Sequence, residues 1–296
     1  MPENHKRIRA LPCWNGQLVI VPLKGGLSNE SWRVTDAQGH FVVRFGRDYP
    51  FHHVLREREI MVARAANAAG FAPAILHAQP GVMVSRFLEA KTFDASDVRQ
   101  NCGRIAELVH GFHQTMPRHV SGPGFMFWVF HVIRDYAITL ETGNSRLKQM
   151  LARWLDINTE LERVQTPLPI IFGHNDLLPA NFLDDGKRLW LIDFEYAGFS
   201  TAMFDLAGIA SNAGMDGEQS AALLAAYFCA VPDADIMRSH AAMQCASLLR
   251  ETMWSLVSEI HLDGPGVDYI AYTAENLARL EQALGTYQSL HGKIAS

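Results

Sequence analysis

Three side chains stand at spacings that suit one kind of chemistry. Asp176 and Asn181 lie five residues apart in Gly173-His174-Asn175-Asp176-Leu177-Leu178-Pro179-Ala180-Asn181, and Asp193 follows twelve residues after Asn181 in Leu191-Ile192-Asp193-Phe194-Glu195. Transfer of a phosphoryl group asks little covalent chemistry of a protein. It needs a carboxylate that takes or holds the proton of an attacking hydroxyl. It also needs oxygen donors for a Mg²⁺ ion that keeps several waters and bridges the phosphates. An Asp and an Asn on one tight loop supply the base and one donor, and an Asp at the end of the following hairpin supplies the other. The competing account of the triplet is a capped turn whose polar side chains bond their own backbone. The order and spacing of all three favour the first account. His174 is assigned to bonding the loop backbone. A His-based zinc site is disfavoured, because no second His stands three or four residues on.

The elements that must position these groups follow from punctuation and period. Residues 17–23, 31–35, 40–45 and 82–87 are short apolar, β-branched or aromatic runs, with Ala37-Gln38-Gly39 and Pro80-Gly81 as turns. Residues 55–69 have helical composition and close at Gly70, with Pro73 beyond. The first part is therefore a small β-rich lobe with one main helix. The rest is mainly helical: a helix capped by Ser96 or Asp97 that runs to Met116 and stops at Pro117, then residues 127–141 and 144–163, then helices from near Ala202, Gly217, Ala234 and Gly266. Residues 168–194 interrupt them with short apolar runs at 169–172, 181–183 and 189–192. The expected fold is α+β and bilobal: residues 1–88 as a nucleotide-binding lobe, residues 89–296 as a catalytic and substrate-binding lobe, and a cleft at a hinge near Leu88 to Ala90.

His-x-Asp-x-x-x-x-Asn followed by apolar-Asp-Phe is the catalytic-loop and metal-segment pattern of kinases. The chain resembles the choline/ethanolamine kinase family, in the aminoglycoside-phosphotransferase-like branch of the protein-kinase fold. The resemblance runs from about residue 24 to residue 290. It rests on Gly25-Gly26-Leu27-Ser28-Asn29, Val42-Val43-Arg44, Glu59, Gly70-Phe71-Ala72-Pro73, His174-Asn175-Asp176 with Asn181, Ile192-Asp193-Phe194-Glu195-Tyr196-Ala197-Gly198, Phe204-Asp205-Leu206-Ala207 and Trp254. The resemblance implies ATP and Mg²⁺ as cofactors, with Asp176 as catalytic base and Asn181 and Asp193 as metal ligands. It puts Gly25, Gly26, Leu27, Ser28 and Asn29 over the phosphates, and Arg44 on the phosphates and paired with Glu59. Phe87, Leu88, Glu89 and Ile192 fall at the adenine. Asp205 would brace the catalytic loop.

The acceptor implied by the same resemblance is a small cationic alcohol such as choline or ethanolamine. A quaternary ammonium has no N–H to donate and is held by aromatic faces and carboxylates. Glu195, Tyr196, Asn212, Glu251, Trp254 and Tyr272 are the residues implied beside Asp176. Eukaryotic members carry two tryptophans three apart where this chain has Glu251 and Trp254, and an acid where it has Asn212. Thiamine and aminoglycosides therefore stand as alternative acceptors, and a degenerate kinase fold that only binds a cationic metabolite stands as the non-enzymatic alternative. Trp254 beside Leu248, Leu249 and Leu256 also reads as plain core. A protein kinase is disfavoured: the chain reads Asp193-Phe194-Glu195 rather than Asp-Phe-Gly, and Phe204 follows Asp193 by only 11 residues.

Composition excludes other classes. Of 296 residues, 48% are apolar and 19% charged, the balance of a globular chain. The 26 basic and 31 acidic residues give a net charge of −5, against a dedicated nucleic-acid binder. Residues 1–88 hold 11 basic and 6 acidic side chains, and the remainder 15 and 25. That asymmetry suits a lobe for phosphates and a lobe for a cation, or simple solubility. The longest apolar runs, 125–133 (broken by His131) and 221–231, fall short of a membrane span, and residues 1–10 lack the apolar core of a secretory signal. Cys13, Cys102, Cys229 and Cys245 form no Cys-x-x-Cys pair. The expectation is a cytoplasmic monomer or homodimer without nucleic-acid or membrane partners.

Overall fold

A computed structural model describes residues 3–23, 30–262 and 267–292. Its first part is built by period-two strands. After helix α1 (Glu3–Arg9) come β1 (Val19–Leu23), β2 (Glu30–Asp36) and β3 (Gly39–Phe45); then α2 (Arg56–Ala68), β4 (Ile75–Gln79) and β5 (Val82–Arg86). The five strands form one antiparallel sheet in the order β1-β2-β3-β5-β4. Alternation along β3 sends Phe41, Val43 and Phe45 to one face. There they join Val34, Val82, Val84 and the α1 residue Ile8 in a small core. Val42 and Arg44 therefore lie on the opposite face, on the wall of the cavity that Asp176 and Asp193 also line. The hairpin turn at Gly39 has φ +124°, a conformation open to glycine and strained for other residues.

The second part contains β6 (Lys91–Thr92), α3 (Ala95–Gln100), α4 (Cys102–Thr115), α5 (Val129–Thr142), α6 (Leu151–Arg163), β7 (Ile170–Gly173), β8 (Phe182–Asp184), β9 (Leu189–Leu191), β10 (Gly198–Thr201), α7 (Ala202–Ala213), α8 (Gly217–Phe228), α9 (Ala234–His261) and α10 (Tyr269–His291). Two small antiparallel sheets, β10-β7 and β6-β8-β9, frame the loop that carries Asp176 and the turn that carries Asp193. Helix α9 is buried along most of its length, from Ser239 to Ser258, and forms the axis of the helical part. Helix α2 joins the larger core through Val62, Ala63 and Ala66, which ties the sheet to the helices. No helix among the described residues is long and apolar enough to cross a membrane.

Several boundaries differ from the sequence expectation, each for a local reason. The helix expected from Ser96 or Asp97 to Met116 is capped earlier, by Asp94. Its side chain accepts from Asp97 N at 2.9 Å, while Asp97 accepts from Asp94 N at 3.1 Å. That helix also breaks at Asn101 (φ −112°, ψ 27°), whose amide donates back to Asp97 O. The helix expected over 144–163 begins at Leu151, because Asn144 takes a left-handed φ of 51° and a 3-10 turn, Lys148–Met150, precedes it. The helix expected from residue 127 begins at Val129. Residues 125–127 run beside β10, with Phe127 N donating to Phe199 O and Phe199 N to Phe125 O, both at 2.7 Å. The aromatic segment 125–130 is mostly core: Phe127 and Phe130 are buried, and Met126 is exposed.

Gly198 is where this seam is tightest. A Cβ there would stand 2.6 Å from the Phe125 ring and 2.8 Å from Phe125 O, and backbone cannot swing aside as a side chain can. Gly198→Ala is expected to destabilise the protein by about 1–3 kcal/mol through overpacking. A urea unfolding midpoint equal to wild type would contradict this packing of segment 125–127 on β10.

Candidate active site

Strand β7 ends at Gly173, and the chain turns at once into His174, Asn175 and Asp176. The turn is held from below by α7. Asp205 Oδ2 accepts from His174 N and Oδ1 from Asn175 N, each at 2.7 Å. His113 of α4 bonds the same Oδ2 at 2.8 Å. Burial alone would raise the Asp205 pKa, but these bonds to His113 and the loop hold it below the ordinary carboxylate range. Asn175 sits at φ 61°, and its amide donates to Tyr196 O and Gly198 O at 3.1 and 3.2 Å. His174 Nε2 bonds Ile192 O at 3.0 Å, so the expected structural role is met. Gly173 leaves room for this convergence: a Cβ would lie 2.6 Å from Ser200 Oγ and 2.7 Å from Asn175 Oδ1.

Asp176 then faces the cavity. Asn181 Nδ2 donates to Asp176 O at 2.8 Å, and Ile192 N donates to Asn181 O at 3.2 Å, which brings Asp176, Asn181 and Asp193 to one wall. The Oδ1 of Asn181 and the Oδ2 of Asp193 accept no hydrogen bond among the described residues. Two uncommitted hard oxygens, one neutral and one anionic, fit a Mg²⁺ ion that fills its remaining places with water and phosphate. Among the described residues no cluster of three His, Cys, Asp or Glu side chains offers a metal cage. Asp193, at φ 69°, receives Arg44 Nη1 on Oδ1 at 2.6 Å. Arg44 pairs also with Glu59 of α2, as expected. Glu59 accepts from Arg56 at 2.6 Å, and Arg56 reaches Glu195 at 2.9 Å. Charges thus alternate along one buried chain.

This arrangement sets the carboxylates apart from one another. Burial pushes Asp176 well above the ordinary carboxylate range. Arg250 pulls it back, and Asp193, Glu195 and Glu251 push it further up. Burial would raise Asp193 too, but the Arg44 guanidinium outweighs it and holds the carboxyl low. Burial and then Asp193 raise Glu195 despite its bond from Arg56. The Asp176 carboxyl is therefore shifted toward holding a proton and its neighbour Asp193 toward the anion, from environment alone.

The cavity holds about 600 Å³. At one end Val42, Ala63, Ala72, Met83, Phe87, Leu88 and Ile192 form an apolar slot. At the other, Glu195, Tyr196, Asn212, Glu251, Trp254 and Tyr272 come together, as the resemblance implied. Trp254 Nε1 donates to Tyr196 Oη at 2.9 Å and Tyr272 Oη to Glu251 Oε1 at 2.7 Å, while Asn212 donates to Leu177 O at 3.4 Å. Trp254 is thus both core and wall, 8% exposed. Glu89 departs from expectation. Its side chain is 71% exposed and pairs with Arg33 at 2.9 Å, on the outside of the sheet, while its neighbours Leu88 and Ala90 line the cavity. The expected phosphate loop, Gly25, Gly26, Leu27, Ser28 and Asn29, lies outside the described residues. Sequence reasoning missed Arg250 and Arg279, which also line the cavity. The available signal for Arg250 was a charge set among the apolar residues of α9.

The comparisons agree with this geometry. A family model described as choline/ethanolamine kinase matches residues 20–224. A probable ethanolamine kinase from Arabidopsis thaliana is 29% identical over 205 residues, 62% of this chain and 53% of the relative, so the chain matches about half of that protein's length. The crystal structure of a choline/ethanolamine kinase family protein from Mesorhizobium loti superposes with a TM-score of 0.75 at 26% identity, covering 95% of this chain and 94% of that one. LicA in complex with AMP superposes at 0.72 with 17% identity, over 94% and 96%, a likeness of fold.

The brace beneath the loop can be tested directly. Asp205→Asn replaces an oxygen that meets N–H donors with an amide, leaving buried donors facing a donor. A loss of about 3 kcal/mol in unfolding free energy is expected, within the range for broken buried pairs. Wild-type stability in this variant would contradict the assignment of Asp205 as the loop's anchor.

Proposed function

The chain belongs to the choline/ethanolamine kinase family, and from that premise we propose that it transfers the γ-phosphoryl group of ATP to the hydroxyl of a small amino alcohol such as choline or ethanolamine. The observation that carries this reading is the meeting of Asp176, Asn181 and Asp193 on one wall between an apolar slot and an acidic–aromatic pocket. Residues 1–88 would then cover the nucleotide and residues 89–296 carry the acceptor. The slot lined by Val42, Met83, Phe87, Leu88 and Ile192 suits adenine, which needs flat apolar walls and backbone partners.

Asn181 and Asp193 would hold Mg²⁺, which when bound neutralises phosphate charge and keeps the transferred group in line. Arg44 orients Asp193 and stands where phosphate oxygens arrive, its forked donors serving both. The acceptor hydroxyl lies against Asp176. As its oxygen forms a bond to the γ-phosphorus, the bond to the bridging oxygen of ADP breaks, and the hydroxyl proton passes to Asp176. A carboxylate raised by burial is a better base than an exposed one, and it sits where that proton is released. Tyr196 and Trp254 offer ring surface, and Glu195 and Glu251 negative charge, to the substrate's ammonium.

Asp176→Asn is expected to keep nucleotide binding and lower kcat by roughly 10²–10⁴-fold in an ADP-release assay with choline or ethanolamine. Full turnover in this variant would refute the assignment of the base. Asn181→Ala should raise the Mg²⁺ concentration that gives half-maximal rate by about tenfold or more. An unchanged metal dependence would remove Asn181 from the ligand set.

A further inference from the structure

The acceptor end of the cavity is lined from α7, α9, α10 and the catalytic turn, but one of its rings is backed by the sheet-bearing part of the molecule. Between β3 and α2 the chain closes a small loop: Tyr49 N donates to Val54 O at 2.9 Å and Val54 N to Tyr49 O at 3.1 Å. The loop holds the 3-10 turn Pro50–His52, and His53 leaves that turn at φ 60°. Three consecutive side chains here each meet a ring of the helical part. Phe51 stacks on His261 with centroids 4.6 Å apart, His52 on Trp254 at 4.8 Å, and His53 on Tyr136 at 5.8 Å. Trp254, Ser258 and His261 recur four and three residues apart along α9, so they share a face.

His52 is the buried member of the three, 2% exposed. Both its ring nitrogens have partners: Nδ1 bonds Tyr136 Oη at 3.2 Å and Nε2 bonds Ser258 Oγ at 2.8 Å. Two hydroxyls suit a neutral imidazole, which has one donor and one acceptor. Burial, and then the Arg250 guanidinium, lower its pKa to about 2, so the ring carries no charge behind the indole. Its plane lies 22° from that of Trp254. The indole Nε1 is held separately, by Tyr196 Oη at 2.9 Å. Trp254 therefore has its polar edge bonded and one face covered by a fixed ring, which leaves the rest of the indole to the cavity it lines.

We propose that His52 is a positioning residue for the acceptor: stacked on Trp254 with both nitrogens anchored, it holds the indole where the substrate's ammonium meets its ring. This inference rests on the kinase reading above and goes beyond it by bringing a residue of 1–88 into the acceptor site. The attraction between a cation and a ring depends on close approach to the ring face. Without the imidazole a void opens behind the indole, and the ring relaxes into it, away from the cavity. An imidazolium in the same place would set like charge behind the ammonium. The neutral ring supports the indole without that repulsion.

Steady-state ADP release by the full chain tests this, with choline and ethanolamine as acceptors and ATP varied separately. His52→Ala is expected to raise the acceptor KM roughly fivefold or more, while kcat and the KM for ATP stay within about twofold. His52→Asn, which can keep a bond to Tyr136 but has no ring, should behave alike. His52→Phe, which restores a ring, should recover most of the loss. Tm values identify any variant that fails to fold, and Ser258→Ala, which keeps the ring and frees Nε2, should move the acceptor KM in the same direction. An acceptor KM unchanged in every folded variant overturns the proposal. So does an equal loss in kcat or in the KM for ATP, the mark of a merely structural role, and so does a folded His52→Phe as weak as His52→Asn. The kinase reading fails by a separate signature: wild-type protein that forms no ADP with either alcohol. Calorimetric titration of choline into the same proteins then decides the role of His52. Weaker binding on loss of the ring supports it, and equal binding, or none to the wild type, overturns it.

Discussion

Everything in the site depends on a single carboxylate that touches no substrate. Asp205 gathers two consecutive backbone N–H groups, of His174 and Asn175, and a buried histidine, His113. A chain that leaves β7 and must present Asp176 at a cavity wall exposes donors that the adjoining strands do not use. Buried donors without partners would cost more than the loop could recover from its few apolar contacts. By anchoring them to the first turn of α7, Asp205 fixes the loop to the helical core. The same anchoring makes Gly173 necessary, because three polar groups converge where its side chain would be.

From that fixed loop the charges are arranged by alternation. Asp193, Arg44, Glu59, Arg56 and Glu195 form a line in which each acid meets a guanidinium, and the line crosses from the catalytic turn to the sheet and to α2. Isolated buried charges of one sign would drive each other neutral. Here Arg44 keeps Asp193 ionised while Asp176, further from any direct ion pair, is pushed toward protonation. A base and a metal ligand of the same residue type thus differ because of where the arginines stand. The chain of pairs also couples the sheet to the helices, so a displaced β3 would disturb Asp193 as well as the nucleotide wall.

Much of this was legible in the sequence, and the reasons differ by feature. Asp176, Asn181 and Asp193 could be read because a loop and a hairpin leave little freedom: residues five and twelve apart on short connections must end close together. The sheet was legible from alternation in 40–45 and 82–87, though β4, with His77 and Gln79 as its only polar side chains and an irregular register between Ile75 and His77, was not. Helix starts were less so. Asp94 outcompeted Ser96 and Asp97 as a cap because it could form a reciprocal pair with Asp97, a choice between adjacent polar residues that pattern cannot rank. Glu89 was misplaced because strand period ends at Arg86, so nothing local decides which way the next side chains point. Arg250 showed in the sequence only as a charge among the apolar residues of α9; its place at the site comes from neighbours on α5, on the catalytic turn and on its own helix.

The two ends of the cavity obey different constraints. The nucleotide and metal end is assembled from loops whose geometry is dictated by Asp205 and the charge chain, and few substitutions there would leave the triplet intact. The acceptor end is carried by α9 and α10, helices whose packing fixes the backbone regardless of which side chains face the cavity. Glu251, Tyr272, Arg250 and Arg279 can therefore vary without disturbing the transfer machinery, and specificity is free to diverge while chemistry is not.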